Sequence, residues 1–318
     1  MNAVAAETDI EGLLEAALSS AAAGAASYLP ASGTAAVPML RKGKGVRARF
    51  LLLLLRALGG EGTSGVPAAA VAELVHLASL LHDDCVDGAA TRRGASTVNA
   101  ACGEKTAVLL GDLLLTEALL RSGVLPAPSR ERLIAAIRDM ALGELEEESG
   151  RGSLEASRER WLRVAARKTG ALFGWCAEMA ARLAGRPGAA DSLREAGIAA
   201  GTAFQIADDL VDFEPEQVTG KPRFQDLRAG RAGFPLLLAL EAGCAGCRNR
   251  AAALFDTFDP HAAALLEEEL RAEGWLLEAR REAERYAAAA VRLIRAETGA
   301  DLESTLASLV LPRHELRR

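Results

Sequence analysis

Aromatic side chains are scarce in this chain, 4% of 318 residues, although half of all residues are hydrophobic. The apolar mass therefore falls to Ala and Leu, which favours helices and argues against a strand-built core. Cysteine is sparse and odd in number, five in all, so no disulfide framework is expected and a reducing cytosol is the simpler setting. A basic excess is absent: the formal net charge is -6, which excludes an overall field for nucleic acid and confines any basic site to a local pocket. Long hydrophobic runs are absent too. Phe50 to Leu55 is very apolar, yet a bilayer takes about 20 such residues. Met1 to Ile10 carries acids and no basic cluster, so it does not read as a signal peptide. The expectation is a soluble, cytoplasmic protein with at most peripheral membrane contact.

What the chain does have is helical periodicity, punctuated by Gly and Pro, almost from end to end. The pattern predicts helices over Thr8 to Ala26, Val46 to Leu58, Ala68 to Asp87, Lys105 to Arg121, Arg130 to Ser149, Ser157 to Ala184 and Ala189 to Phe213. Shorter ones follow over Phe234 to Ala242, Arg250 to Phe255, Pro260 to Glu273, Trp275 to Glu297 and Ala300 to Leu309. The connection Glu214 to Ala232 is long and polar, the kind of loop that is often functional. No stretch is rich enough in Pro, Gly or Ser to divide the chain, so residues 1–318 read as a single all-α domain. The charge run Glu144 to Gly152 reads as a solvated helix face. Cys244 and Cys247 form a lone C-x-x-C, read as small apolar residues near a helix end.

One pattern occurs twice: Asp83-Asp84-Cys85-Val86-Asp87 and Asp208-Asp209-Leu210-Val211-Asp212, each closing an apolar helical run. Residues four apart share a helix face, so Asp83 pairs with Asp87 and Asp208 with Asp212. Like charges so placed repel. A cation would neutralise them, and all-oxygen ligands favour magnesium or calcium over zinc.

Arg92-Arg93-Gly94 follows the first cluster, and in this setting the chain resembles the trans-isoprenyl (polyprenyl) diphosphate synthases, whose pattern is D-D-x-x-D, a double arginine, then a second D-D-x-x-D. Further matches are Gly43-Lys44 with Arg47, Gly111-Asp112, Lys168-Thr169, Phe204-Gln205, Gly220-Lys221, Asp226-Leu227, and Gly230-Arg231 leading into Pro235. The resemblance implies an isoprenoid synthase-like fold, a helical bundle around a central cavity. It implies head-to-tail condensation of an allylic diphosphate with isopentenyl diphosphate, by loss of pyrophosphate from the allylic substrate. It also implies three magnesium ions held by Asp83, Asp87 and Asp208, with Asp84, Asp209 and Asp212 as further ligands or as acceptors behind them. Arg92, Lys168 and Lys221 would bind the leaving diphosphate; Lys44, Arg47, His76 and Arg93 would bind isopentenyl diphosphate without metal. Thr169 and Gln205 would offer oxygen dipoles to the carbocation. The released pyrophosphate takes the last proton in such enzymes.

Departures from the family pattern are few. Lys42-Gly43-Lys44-Gly45-Val46-Arg47-Ala48 lacks one basic residue and a Pro; Glu147 stands where Gln is common, Phe224 where Gly is usual, and Arg231 where Lys is usual. None removes a metal ligand. Val75, Ala78 and Ser79, one and two turns before Asp83, are small enough to leave a product tunnel open, so geranylgeranyl diphosphate or a longer product is expected, with the tunnel floor near Leu109 to Leu115. The resemblance implies a homodimer, and Ala-rich helices early in the chain suggest contacts between subunits. Three alternatives compete: a non-catalytic subunit of a heteromeric synthase, a terpene cyclase on the same fold, and a helical scaffold that its acids merely keep soluble.

Overall fold

The computed structural model describes residues 3–26, 28, 44–92, 95–155, 157–216 and 222–311, without the side chains of 3–9 and 24–26. Arg93 and Lys221, both expected to bind substrate, lie outside these residues.

The chain divides into two compact units that alternate along the sequence. One comprises Met1–Ile137, Leu172–Gly197 and Leu293–Ala300; the other comprises Arg138–Ala171, Ile198–Arg292 and Asp301–Arg318. In order, the helices are α1 (Ala3–Ala26), α2 (Val46–Ala57), α3 (Gly62–Val86), α4 (Val98–Cys102), α5 (Glu104–Arg121), α6 (Ser129–Glu148), α7 (Arg158–Ala165), α8 (Ala171–Leu183), α9 (Ala190–Val211), α10 (Gln225–Arg228), α11 (Phe234–Glu241), α12 (Ala245–Asp256), α13 (Pro260–Ala272), α14 (Trp275–Thr298) and α15 (Glu303–Val310). A two-strand hairpin, β1 (Thr91–Arg92) against β2 (Ala95–Ser96), is the one sheet among the described residues.

In the first unit, α3 is the central rod, with α1, α2, α4 and α5 packed around it. Its buried alanines, Ala68, Ala69, Ala70 and Ala72, let the neighbouring backbones approach. Phe50 of α2 meets Phe173 with ring centroids 5.3 Å apart, and full burial of each such ring stabilises by about 1.5–3 kcal/mol. Helix α3 begins at Gly62, ahead of the expected Ala68, and carries Pro67 inside it. Proline forfeits one ladder hydrogen bond. In the turn before it, Gly65 lies tight against α2, where a Cβ would come within 2.7 Å of Leu55 and 2.9 Å of Leu52. By length and composition α3 could cross a membrane, but 61% of its apolar window is buried within the chain, as in a core helix.

On α1, Ala16 and Ala23 are exposed, whereas Ala17, Ala21 and Ala22 are at most 1% exposed where α1 packs on α3. The small side chains of the buried three serve close packing within the chain.

In the second unit, α10 to α13 enclose Leu227, Leu236, Leu240, Leu254, Leu266 and Leu270, and Trp161 of α7 packs at a tilt on Phe234 of α11, ring centroids 4.5 Å apart. The single helix expected over Ser157 to Ala184 is interrupted: between α7 and α8 a π-helical turn spans Ala166–Gly170. Such turns recur at functional sites, and this one carries Lys168 and Thr169.

Candidate active site

The first aspartate cluster closes α3. Asp87 is its C-cap and its N–H donates to the Asp83 carbonyl at 2.8 Å, so the two residues keep helical register and share the face their spacing predicts. Asp87 is exposed and Asp83 half-buried, whereas Asp84 is buried. Asp84 Oδ1 accepts from Arg92 Nε at 2.8 Å and lies 2.6 Å from Nη2. This two-point contact pins the hairpin to the helix end. Asn99 adds to it, donating from Nδ2 to the carbonyls of Asp84 and Ala89. Asp84 Oδ2 is buried and has no hydrogen-bond donor among the described residues.

Arg92, expected on a diphosphate, is thus engaged by Asp84. Arg92→Met should leave a buried carboxylate without its cation and lower stability by about 3 kcal/mol, the lower end for such pairs, because the arginine side chain is 29% exposed. The check is the urea midpoint at unchanged slope.

Of the residues expected to bind isopentenyl diphosphate, Lys44 is exposed, His76 half-buried, and Arg47 only 8% exposed. Arg47 lies over the Phe173 ring, its guanidinium carbon 5.4 Å from the centroid. Gly45, between Lys44 and α2, has φ +57° and a position where a Cβ would meet Leu14 at 2.6 Å. Only glycine suits that turn. Further along, Gly111 leaves room for the His82 ring, whose Nε2 sits 3.5 Å from Asp112. Ala78 and Val75 are buried and Ser79 half-buried. The proposed floor divides: Leu110 and Leu114 are buried, but Leu109 and Leu113 point to solvent.

The second cluster ends α9. Three glycines bring its surroundings together: a Cβ on Gly201 would come within 2.6 Å of Gly170 Cα, and one on Gly143 within 2.7 Å of the Lys168 nitrogen. The π-helical turn therefore lies against both α6 and α9. From this contact a hydrogen-bonded chain runs outward. Thr169 Oγ1 donates to Gln205 Oε1 at 2.7 Å, Gln205 Nε2 to Asp209 Oδ1 at 3.1 Å, and the Phe234 N–H to Asp209 Oδ2 at 2.8 Å. Asp209 is buried at the N-terminus of α11, where the helix dipole favours an anion.

Asp212 has both oxygens on the loop: Oδ1 accepts from the Gln225 N–H at 2.8 Å and Oδ2 from the Asp226 N–H at 3.0 Å. It caps α10, and each oxygen keeps a lone pair for a further partner. The preceding residue explains why glycine is usual at position 224. Phe224 has φ +61°, strained for a side chain of this size. Its buried ring compensates, 6.0 Å from Phe213 and 4.5 Å from the Arg223 guanidinium.

Asp208 is exposed. Burial, then Asp226, pushes the Asp209 carboxyl well up, and the same two causes raise Asp212 to about 7. Asp226 is raised by burial despite the pull of Arg231. So many desolvated acids together require protons or a cation.

Lys168 is held between two acids of α6, 2.6 Å from both Glu144 and Glu147. Glu146 takes Arg163 at 2.6 Å and Arg167 at 3.0 Å. The charge run expected to be a solvated face is thus a set of ion-pair partners. Glu147, in place of the usual Gln, also reaches Arg231 at 4.0 Å. Sequence reasoning missed Glu144 as a neighbour of Lys168; its signal was the i, i+3 spacing to Glu147.

A sequence profile described as Polyprenyl synthetase matches residues 33–268. The chain belongs to the polyprenyl synthetase family. It is 36% identical over 204 residues to the octaprenyl diphosphate synthase of Escherichia coli (strain K12), an alignment covering 63% of each chain. The chain therefore spans somewhat less than two thirds of the length of that relative. The crystal structure of polyprenyl synthetase from Streptomyces coelicolor A3(2) is similar with TM-score 0.83 at 28% identity, covering 96% of this chain and 99% of that one. Polyprenyl synthase from Caulobacter crescentus CB15, solved in complex with calcium and isoprenyl diphosphate, is similar with TM-score 0.82 at 28% identity, covering 96% and 94%. The expected all-α fold is the fold of these polyprenyl synthases.

Proposed function

We propose that this polyprenyl synthetase family member is a prenyltransferase that condenses an allylic diphosphate with isopentenyl diphosphate, giving geranylgeranyl diphosphate or a longer product. One observation carries the reading: in a chain of this family both aspartate clusters are intact and their outer members, Asp83, Asp87 and Asp208, reach solvent. Their donor set fits a hard divalent cation, since it offers only carboxylate oxygens, and burial, then the neighbouring Asp226, pushes the carboxyls of Asp209 and Asp212 up, a penalty that a nearby cation would offset. The Caulobacter relative was solved with calcium and an isoprenyl diphosphate, which supports a cation and diphosphate role for the clusters here.

Asp83, Asp87 and Asp208 would hold magnesium, three ions with substrate bound, with Asp84 and Asp212 as supporting ligands through their remaining lone pairs. When bound, magnesium supplies Lewis-acid stabilisation of the charge that builds on the departing pyrophosphate. Lys168 and Lys221 bind that pyrophosphate, as does Arg92 through the N–H groups not used by Asp84. For Lys168 this means exchanging the carboxylates of Glu144 and Glu147 for phosphate oxygens, a swap of like partners. Lys44, Arg47, His76 and Arg93 bind isopentenyl diphosphate. Thr169 donates to the Gln205 carbonyl oxygen, so the remaining lone pairs of both are the negative dipole ends available to an allylic cation, with no strong nucleophile among them. Asp209 holds Gln205 in that pose. Pyrophosphate accepts the final proton.

The test is substrate dependence. The purified chain with magnesium should release pyrophosphate only when both diphosphates are present. Release without isopentenyl diphosphate would instead favour a cyclase, and inactivity of the isolated chain a subunit of a heteromer.

We further propose one catalytic domain over residues 1–318, since neither compact unit is a continuous segment. Five free thiols fit a reducing, cytoplasmic setting, with product release to a membrane as the one peripheral contact. A homodimer is supported by α5, where Leu109, Leu113 and Leu120 are 63%, 42% and 66% exposed at spacings that share one face. Replacing Leu109 and Leu113 together by Glu should halve the mass measured by light scattering after size exclusion.

A further inference from the structure

The C-x-x-C motif stands apart from the chemistry above. Cys244 is the N-cap of α12, and its sulfur accepts the Cys247 N–H at 3.1 Å. The Cys244 sulfur also lies 3.7 Å from Glu269 Oε1 on α13 and 3.9 Å from Glu273 Oε1 at the end of that helix. Ligand atoms of Cys244, Cys247 and Glu269 all fall within 4.8 Å of one another.

Both glutamates are aimed. Glu269 gives its other oxygen, Oε2, to Arg250 Nε at 2.8 Å, and Glu273 gives its Oε2 to Trp275 Nε1 at 2.8 Å. Each carboxylate is thus anchored through one oxygen with the second turned to the sulfur, the arrangement by which outer partners orient metal ligands. The backbone makes room as well: a Cβ on Gly246 would lie 2.0 Å from Glu269 Oε1, so this approach needs glycine between the cysteines.

Burial, then the contact with Cys244, pushes the Cys247 thiol up, which disfavours its thiolate as a redox nucleophile. A cation reverses that balance, and both sulfur and carboxylate are zinc ligands. Distances of about 2.3 Å to sulfur and about 2.0–2.2 Å to oxygen in a tetrahedron separate the donors by roughly 3.4–3.8 Å. Cys244 Sγ already lies 3.7 Å from Glu269 Oε1, Cys247 closes in from within 4.8 Å of both, and Glu273, 3.9 Å from the Cys244 sulfur, must turn its carboxylate inward to take the fourth position.

We propose that Cys244, Cys247, Glu269 and Glu273 form a structural zinc site that ties α12 to α13. Four protein ligands close the coordination, leaving no position for substrate. It is independent of the magnesium reading, since none of the four residues belongs to either aspartate cluster.

The experiment measures zinc by mass spectrometry after dialysis against trace zinc with magnesium in large excess, which saturates the aspartates. Wild-type protein should keep one zinc per chain, the C244S/C247S variant should keep none, and prenyl transfer should survive in that variant. Absence of zinc from wild type, or equal zinc in both proteins, would overturn the proposal. A second measurement avoids dependence on the variant's folding: alkylation of native wild-type protein, mapped by peptide. Zinc should suppress modification of Cys244, and an unchanged alkylation rate would overturn the site.

Discussion

Asp83→Ala loses turnover by at least about 10³-fold, the scale expected when a group that stabilises leaving-group charge is removed. Asp83 shares its helix face with Asp87, so its removal takes away half of the outward-reaching carboxylate pair at the end of α3. The loss should fall on kcat, because the charge on the pyrophosphate develops only as the bond breaks. The fold should survive: Asp83 is half-buried, and the contacts that pin the hairpin run through Asp84, Arg92 and Asn99 instead. Far-ultraviolet circular dichroism beside the rate assay separates the two effects, and a variant retaining a tenth of wild-type activity would refute the assignment.

The second large effect is expected far from any charge. Gly201→Ala places a methyl 2.6 Å from Gly170 Cα, against backbone that cannot swing aside as a side chain would. Overpacking of this kind costs about 1–3 kcal/mol, offset by up to about 1 kcal/mol from the better helix propensity of alanine. The larger consequence is positional. Separating α9 from the π-helical turn lengthens the 2.7 Å contact of Thr169 with Gln205, and misplacement by about 1 Å can lower a rate by about 10²-fold. Rates measured well below the melting temperature should show the fall while most of the protein remains folded. A destabilised variant with an unchanged kcat would show that the Thr169 to Asp209 chain is structural only.

The placement of the aspartate clusters was legible because it is local: four-residue spacing in a helix suffices to put two carboxylates on one face. Most helices were legible for the same reason. What escaped depends on residues distant in sequence. The π-helical turn at Lys168 packs where Gly201 meets Gly170 and Gly143 meets the Lys168 backbone, and no periodicity within Ser157 to Ala184 announces it. The helix expected from Ala68 begins at Gly62, and the close packing of Gly65 against α2 leaves no signal in the local pattern. Glu144 and Glu147 read as solvated because their partner, Lys168, comes from another helix. Phe224 was noticed as a departure, but only its φ of +61° explains why glycine is usual there. Cys244 and Cys247 passed for inert residues because the carboxylates beside them belong to α13.

The central claim is that this chain alone joins isopentenyl diphosphate to an allylic primer and extends it. Incubation of the purified protein with magnesium, radiolabelled isopentenyl diphosphate and each allylic primer in turn, followed by sizing of the products, tests it most directly. Label should pass into a diphosphate of geranylgeranyl length or greater, with no incorporation by the Asp83→Ala variant. Absence of labelled product with every primer would contradict the account.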